Sequence, residues 1–340
     1  MRKRLNYIDI AKGLGIFSVV LCHLTYHGTI INQIVLSYCV SMFFIISGML
    51  FSCKKQPNQF ISSILNRMVM PFILYQVVDM IYTLSKYILL NFSNISGTEV
   101  IKIILKVTFV TGSANSNGPL WFLGTLILTE VVFYTILKMD KKYILYLVVA
   151  MMFIIAFFVR DNLLFRIGQI PSSFTLFSIG YFSKNKIFQL DSKKTKNIIF
   201  LMSLLIFSVL VYINGNTELA VRNFGKIYPL YYIEVFSVTL CILTFSMCIK
   251  KNKFIEFLGK NSMVIMCCHY LICRSFIPFI FEKLGYTVLL QNYVIELILA
   301  VLVILIMVPV IILINKFIPY LAGSYKYKFI DKIVERKTNG

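Results

Sequence analysis

Apolar residues fall into long runs that carry few or no charges, separated by short polar and basic segments. The runs last from about 17 to 28 residues, enough for a helix to cross roughly 30 Å of hydrocarbon. The pattern predicts helices over 8–28, 33–52, 69–91, 118–138, 143–159, 165–183, 197–214, 228–249, 257–280 and 290–317. Ten crossings return both termini to one side. Between the third and fourth runs, Glu99 to Val110 reads as an interfacial amphipathic helix and Thr111 to Asn117 as a loop. The expected fold class is an all-α polytopic membrane protein, one transmembrane domain over 1–320 followed by a short basic tail over 321–340.

Composition agrees with that pattern. Of 340 residues, 59% are hydrophobic and 14% charged, with a mean hydropathy of +0.82, whereas soluble domains carry about 25% charged residues. The net charge of +20 raises nucleic acid as a partner. The basic residues, however, cluster between apolar runs and not along one face. Lys54, Lys55 and Arg67, then Lys138, Lys141 and Lys142, then Lys184 to Lys196, Lys250 to Lys260 and the tail all fall on the side of the N-terminus. The positive-inside rule makes that side cytoplasmic, so topology accounts for the charge and nucleic acid is excluded. Arg2, Lys3 and Arg4 superficially resemble a signal-peptide opening, but Asp9, Lys12 and His23 interrupt the run that follows. That run is expected to stay as the first membrane helix. The eight cysteines lie mostly within apolar runs, with no CxxC pair and no metal-ligand spacing, so no metal is expected.

A charge at the bilayer centre costs at least about 2.5–3.5 kcal/mol, so an intramembrane ionisable residue needs a partner or a function. Lys12, His23, His27, Asp79, Glu130, Glu234, His269, Arg274 and Glu296 are the residues in question. About three helical turns separate Lys12 from His23, which puts both on one face, roughly 16 Å apart along the axis. One reading makes Lys12 an anion-binding residue at the cytoplasmic edge and His23 a proton-handling residue deeper on the same path. The other has Lys12 snorkelling to the interface and His23 bonding a neighbouring helix. Glu130 is expected either to pair with a cation or to hydrogen-bond His23 and raise its basicity, or else to tether two helices. Trp121, the only tryptophan, suits an interfacial belt anchor or a stacking surface for a sugar ring. His27 lies one turn beyond His23, placed either to meet an acceptor or simply in a loop. Asp79, Glu234 and Glu296 have no motif around them.

Several segments resemble, in order, the membrane acyltransferase 3 family. Tyr7 to Gly15, with ten residues between Lys12 and His23, is similar to the family's opening, a basic residue and a histidine at that spacing. Phe43 to Phe51 resembles its FFxxSGxxF segment, and Arg67 with Pro71 resembles its basic loop before the third helix. Pro119 to Leu123 followed by Glu130 is similar to its LWFL segment. Ile179-Gly180-Tyr181 resembles its later short-loop glycine, and Leu258 to Ser262 with His269 its LGxxS…H segment. The opening looks nearest the fucose 4-O-acetylase-like branch. One element departs: only Arg67 stands where such families often carry two arginines, with Lys54 and Lys55 upstream.

The resemblance implies an O-acyltransferase in the bacterial cytoplasmic membrane. It would move an acyl group, usually acetyl, from acyl-CoA to a hydroxyl of a cell-surface polysaccharide or lipid-linked glycan. Acetyl-CoA would be a co-substrate, no cofactor would be bound permanently, and polysaccharide biosynthesis proteins would be plausible partners. A basic mouth of Lys12, Arg67 and Lys260, with Ser47 beside it, suits the phosphates and thioester arm of CoA. His23, Glu130 and His269 would carry the chemistry, and Trp121 and His27 would face the acceptor. Ser47-Gly48 equally suits tight helix packing. A competing reading is a proton-coupled secondary transporter using His23 and Glu130 as a relay; it calls for paired interrupted helices in two halves, and the sequence has no such symmetry.

Overall fold

The computed structural model describes residues 5–25, 29–92, 94–109, 118–139, 141–159, 164–249, 251–285 and 292–323. His27, Arg2 to Arg4, the 111–117 loop and the tail from 324 lie outside the described residues. Every one of the ten predicted runs contains helix. In chain order the helices are α1 (Asn6–Cys22), α2 (Ile30–Tyr38), α3 (Ser41–Leu50), α4 (Pro57–Ile64), α5 (Met70–Leu90) and α6 (Gly97–Phe109). They continue with α7 (Leu120–Lys138), α8 (Lys142–Phe158), α9 (Ile170–Phe188), α10 (Lys193–Asn214) and α11 (Tyr228–Cys248). The last four are α12 (Lys253–Lys260), α13 (Ser262–Leu271), α14 (Ile277–Lys283) and α15 (Tyr293–Phe317).

The chain is an all-α polytopic membrane protein, yet only seven stretches among the described residues combine spanning length with sufficient apolarity. They are Ile30–Leu50, Pro57–Leu90, Leu120–Lys138, Lys193–Asn214, Tyr228–Cys248, Ser262–Lys283 and Tyr293–Phe317. Three of the ten expected runs, those forming α1, α8 and α9, fall outside this set by length or composition. Both α1 and α8 have 17 residues, and α9 is more polar because Ser172, Ser173, Thr175 and Ser178 are buried along it. Thr175 and Ser178 donate to carbonyls one turn back, Pro171 O at 3.0 Å and Phe174 O at 2.7 Å. The hydroxyls of Thr175 and Ser178 are thus satisfied within the helix, whereas Ser172 Oγ and Ser173 Oγ are buried without a hydrogen-bond partner.

Two runs read as single helices are interrupted. The second breaks between α2 and α3 at Cys39 and Val40, and the ninth breaks at Asn261 between α12 and α13. Conversely, the third run starts early, because α4 joins α5 through a π turn at Leu65–Val69. A second π turn, Ile272–Phe276, links α13 to α14. Of the Glu99 to Val110 segment, the described part through Phe109 is helical as α6, with Val107 as its buried residue; Val110 lies outside the described residues.

Backbones approach most closely where side chains are missing. Gly48 on α3 meets the Phe177 carbonyl of α9, and Gly180 on α9 meets the Ile45 carbonyl of α3. Gly180 therefore lies inside a helix and not in the short loop its motif suggested. Likewise Gly259 on α12 faces the Asp9 carbonyl of α1, and Gly13 faces Ile255. This small-residue packing is how apolar helices associate without a hydrophobic drive between them. It makes α1 a central element, held against α12, α11, α13 and α15.

A two-stranded hairpin, β1 (Thr217–Glu218) with β2 (Asn223–Phe224), joins α10 to α11. Buried Glu234 on α11 accepts from Thr217 Oγ1 at 3.1 Å and from Asn214 Nδ2 at 3.3 Å. Asn214 also donates to Phe224 O and accepts from Ile227 N. Glu234, which had no motif around it, thus anchors the hairpin.

An added Cβ at Gly48 or Gly180 collides with backbone, so Gly48→Ala and Gly180→Ala are each expected to cost about 1–3 kcal/mol. Thermal melting of the detergent-purified protein measures this, with Gly97→Ala, whose Cβ meets no atom within 4 Å, expected to melt as the unaltered protein does.

Candidate functional site

Two cavities lie at opposite ends of α1. The first, about 380 Å³, gathers Lys12 from α1, Ser47 from α3, Arg67 from the first π turn, Glu130 from α7 and Lys260 from α12. All four residues read as the donor mouth therefore share one cavity, together with Lys55. Among the described residues its lining carries four cations and one carboxylate, set in apolar walls that include Phe43, Phe51, Phe122 and Met266. A concave apolar site with a few converging charges is the usual form of a small-molecule pocket.

Arg67 Nη2 donates to Glu130 Oε2 at 2.6 Å. Glu130 is therefore held by a cation and not by His23, which settles between the partners expected for it. Its burial (5% exposed) makes such a partner necessary, since a buried carboxylate without one is strongly disfavoured. Lys260 Nζ lies 3.6 Å from Glu256 Oε2 on its own helix, and Lys55 Nζ donates to Ser63 Oγ at 2.6 Å. The lone arginine of the 54–67 loop is thus joined in the cavity by Lys55.

The second cavity, about 210 Å³, holds His23 and Trp121. His23 is the residue that ends α1, one step beyond its last turn. Its ring lies 5.2 Å from that of His269 and meets Tyr270 edge-on at 5.1 Å. His269 is fully buried. Its Nδ1 lies 2.7 Å from Ile265 O, and because a carbonyl can only accept, Nδ1 carries a proton, which in the neutral ring leaves Nε2 as the acceptor. Nε2 has no hydrogen-bond partner, so a basic nitrogen is buried beside His23. Trp121 is 5% exposed, which rules out the belt anchor and leaves it as part of the cavity wall.

Arg166, Glu218, Tyr270 and Arg274 complete the polar lining. Sequence reading missed Arg166, Glu218 and Tyr270, and left Arg274 without a role. Arg166 stands at a positive φ of 55° and donates through Nη1 to Ala220 O at 3.0 Å, and Gln169 Nε2 reaches the same carbonyl at 3.1 Å. These bonds dock the hairpin and bring Glu218 to the cavity. The one available signal was a charged residue next to an apolar run, as at Arg166 and Arg274. Both Arg67 and Arg274 stand on π turns, the local irregularity by which a long helix re-aims a side chain and which is frequent at functional sites.

Phe122 and Met266 line both cavities. They form a thin apolar wall between the basic chamber and the histidine chamber. The expected placement of Lys12 and His23 on one face of α1 thus resolves into one residue for each chamber.

A family described as acyltransferase domain matches residues 5–316 of the chain. No curated protein and no solved structure matches it.

Burial raises the Glu218 carboxyl above its ordinary range, opposed by the charges of Arg166 and Arg274. The folded state then holds this proton more tightly than the unfolded chain. Stability from this group falls as pH rises from the ordinary carboxylate range through the raised folded value. Glu218→Gln should flatten that part of the pH–stability curve, read as melting temperature against pH; an unchanged curve would contradict the assignment.

Proposed function

Because the chain belongs to the membrane acyltransferase 3 family, we propose that it transfers an acyl group, most simply acetyl, from acyl-CoA in the Lys12 chamber to a sugar hydroxyl in the His23 chamber. Membrane acyltransfer is the family's activity; the donor, the acceptor and the residue roles are this proposal. The observation that carries it is the pair of chambers meeting at Phe122 and Met266, one rich in cations and the other holding two histidines. Coenzyme A is a polyanion with a long flexible arm. Lys12, Lys55, Arg67 and Lys260 suit its phosphates, and the apolar walls suit the pantetheine arm leading the thioester toward Phe122 and Met266.

On the other side, His23 acts as general base and takes the proton of the attacking hydroxyl. The hydroxyl oxygen forms the new ester bond to the acyl carbon, the carbon–sulfur bond breaks, and CoA leaves as the thiol once its sulfur is protonated. His269, with Nε2 unprotonated, positions His23 or relays its proton. Trp121 and Tyr270 offer ring faces against which a sugar can stack. Glu130 serves the donor side, holding Arg67 in place, and no longer supports His23 in this scheme. The orientation that puts the Lys12 chamber on the cytoplasmic face follows the basic loops and matches the location of acyl-CoA.

Lys12→Ala should raise KM for acyl-CoA about tenfold, the loss of one charge-assisted contact, while leaving KM for the glycan unchanged. His23→Ala should abolish transfer while the protein remains folded in the membrane. Steady-state kinetics on proteoliposomes reads both, and full transfer by the His23 variant would sink the catalytic assignment.

A further inference from the structure

The wall between the two chambers is unequal in its two halves. Phe122 on α7 is held by other rings, its centroid 4.8 Å from that of Phe44, 6.1 Å from that of Phe43 and 6.4 Å from that of Trp121, each in edge-on contact. Phe43 and Phe44 belong to α3, whose backbone is pressed against α9 at Gly48 and Gly180. Turning Phe122 therefore means displacing a packed aromatic set, so this half of the wall is fixed.

Met266 on α13 is as buried as Phe122 (3% and 7% exposed) but differs in kind. Its side chain is unbranched, with three rotatable bonds, and adapts to the space around it. The residue stands at the boundary of both chambers: its neighbour Cys267 lines the basic one, and Tyr270, one turn on, lines the histidine one. Met266 is thus the half of the wall that can yield. The room beyond it is the smaller of the two, about 210 Å³ against about 380 Å³.

We infer that Met266 is the gate between the chambers and the residue that sets how long an acyl chain can cross. The inference rests on the acyltransfer reading of the two chambers. For the acceptor hydroxyl to reach the acyl carbon, the thioester carbonyl has to lie at the wall, with the rest of the acyl chain beside it. The histidine chamber is taken up by the sugar and the Phe122 ring does not give way, so the chain lies where Met266 has swung aside. A short acyl group needs the smallest swing. Each added methylene has to push further into closely packed side chains, which is costly.

The test gives acetyl-, propionyl- and butyryl-CoA to the unaltered protein and to Met266→Ala in proteoliposomes, with a cell-envelope glycan extract as acceptor. Donors are compared by kcat/KM within each protein, so differences in the amount folded cancel. In the unaltered protein kcat/KM should fall about tenfold or more for each added methylene, and Met266→Ala should bring butyryl-CoA about tenfold closer to acetyl-CoA. Met266→Leu, similar in volume but branched and stiffer, should keep the preference for short chains and lower kcat about threefold. Calorimetry on the detergent-purified proteins measures binding of the same donors beside turnover. Equal use of all three donors by the unaltered protein, or a preference unchanged in Met266→Ala, overturns the gate. Donors that bind with a chain-length preference lost in Met266→Ala, yet never turn over, support the gate and overturn the acyltransfer reading. Failure of every donor to bind overturns both.

Discussion

A carboxylate inside an apolar helix bundle must find a cation, and Glu130 finds Arg67. That pairing joins α7 to the π turn between α4 and α5 and so closes one side of the basic chamber. Arg67 keeps 55% of its side chain exposed, which lets one guanidinium neutralise a buried carboxylate while the rest of it faces the cavity. The same cost of burial explains Glu234, whose carboxylate is spent on Thr217 and Asn214 and thereby fixes the hairpin. One carboxylate shapes the basic chamber and the other, by fixing the hairpin that carries Glu218, the histidine chamber.

Helix geometry distributes the remaining parts. A single helix, α1, carries Lys12 to one chamber and His23 to the next, and it is held in place where Gly13 and Gly259 let its backbone touch α12. The α3 and α9 pair, joined through Gly48 and Gly180, supports the wall that presents Ser47. Under the proposed function, rigid backbone contacts of this kind would hold two substrates within bonding distance across Phe122 and Met266.

Much of this was legible in the sequence. Run length located helix in every predicted run, though α4 lies outside them, and the motif resemblance with the basic loops named the residues Lys12, Ser47, Arg67 and Lys260 that the structure brings to one cavity. The helix breaks at Cys39 and Asn261 were not legible, because no proline or glycine stands at either break and tertiary contacts decide them. The two π turns left no trace in periodicity, since one extra residue in a turn is lost within a run of uniform apolar residues. Glu218 and Arg166 were missed because they reach the site through a hairpin of two-residue strands, too short to show alternation. A cation for Glu130 was anticipated, but choosing between Arg67 and His23 required knowing how α4 and α5 pack on α7.

The central claim is that donor and acceptor occupy chambers opening at opposite ends of the bundle, with acyl transfer between them. The direct measurement uses proteoliposomes with radiolabelled acyl-CoA sealed inside and the glycan acceptor supplied only outside. The account predicts label on the external acceptor without release of acyl-CoA, and label appearing only when donor and acceptor share one compartment would contradict it.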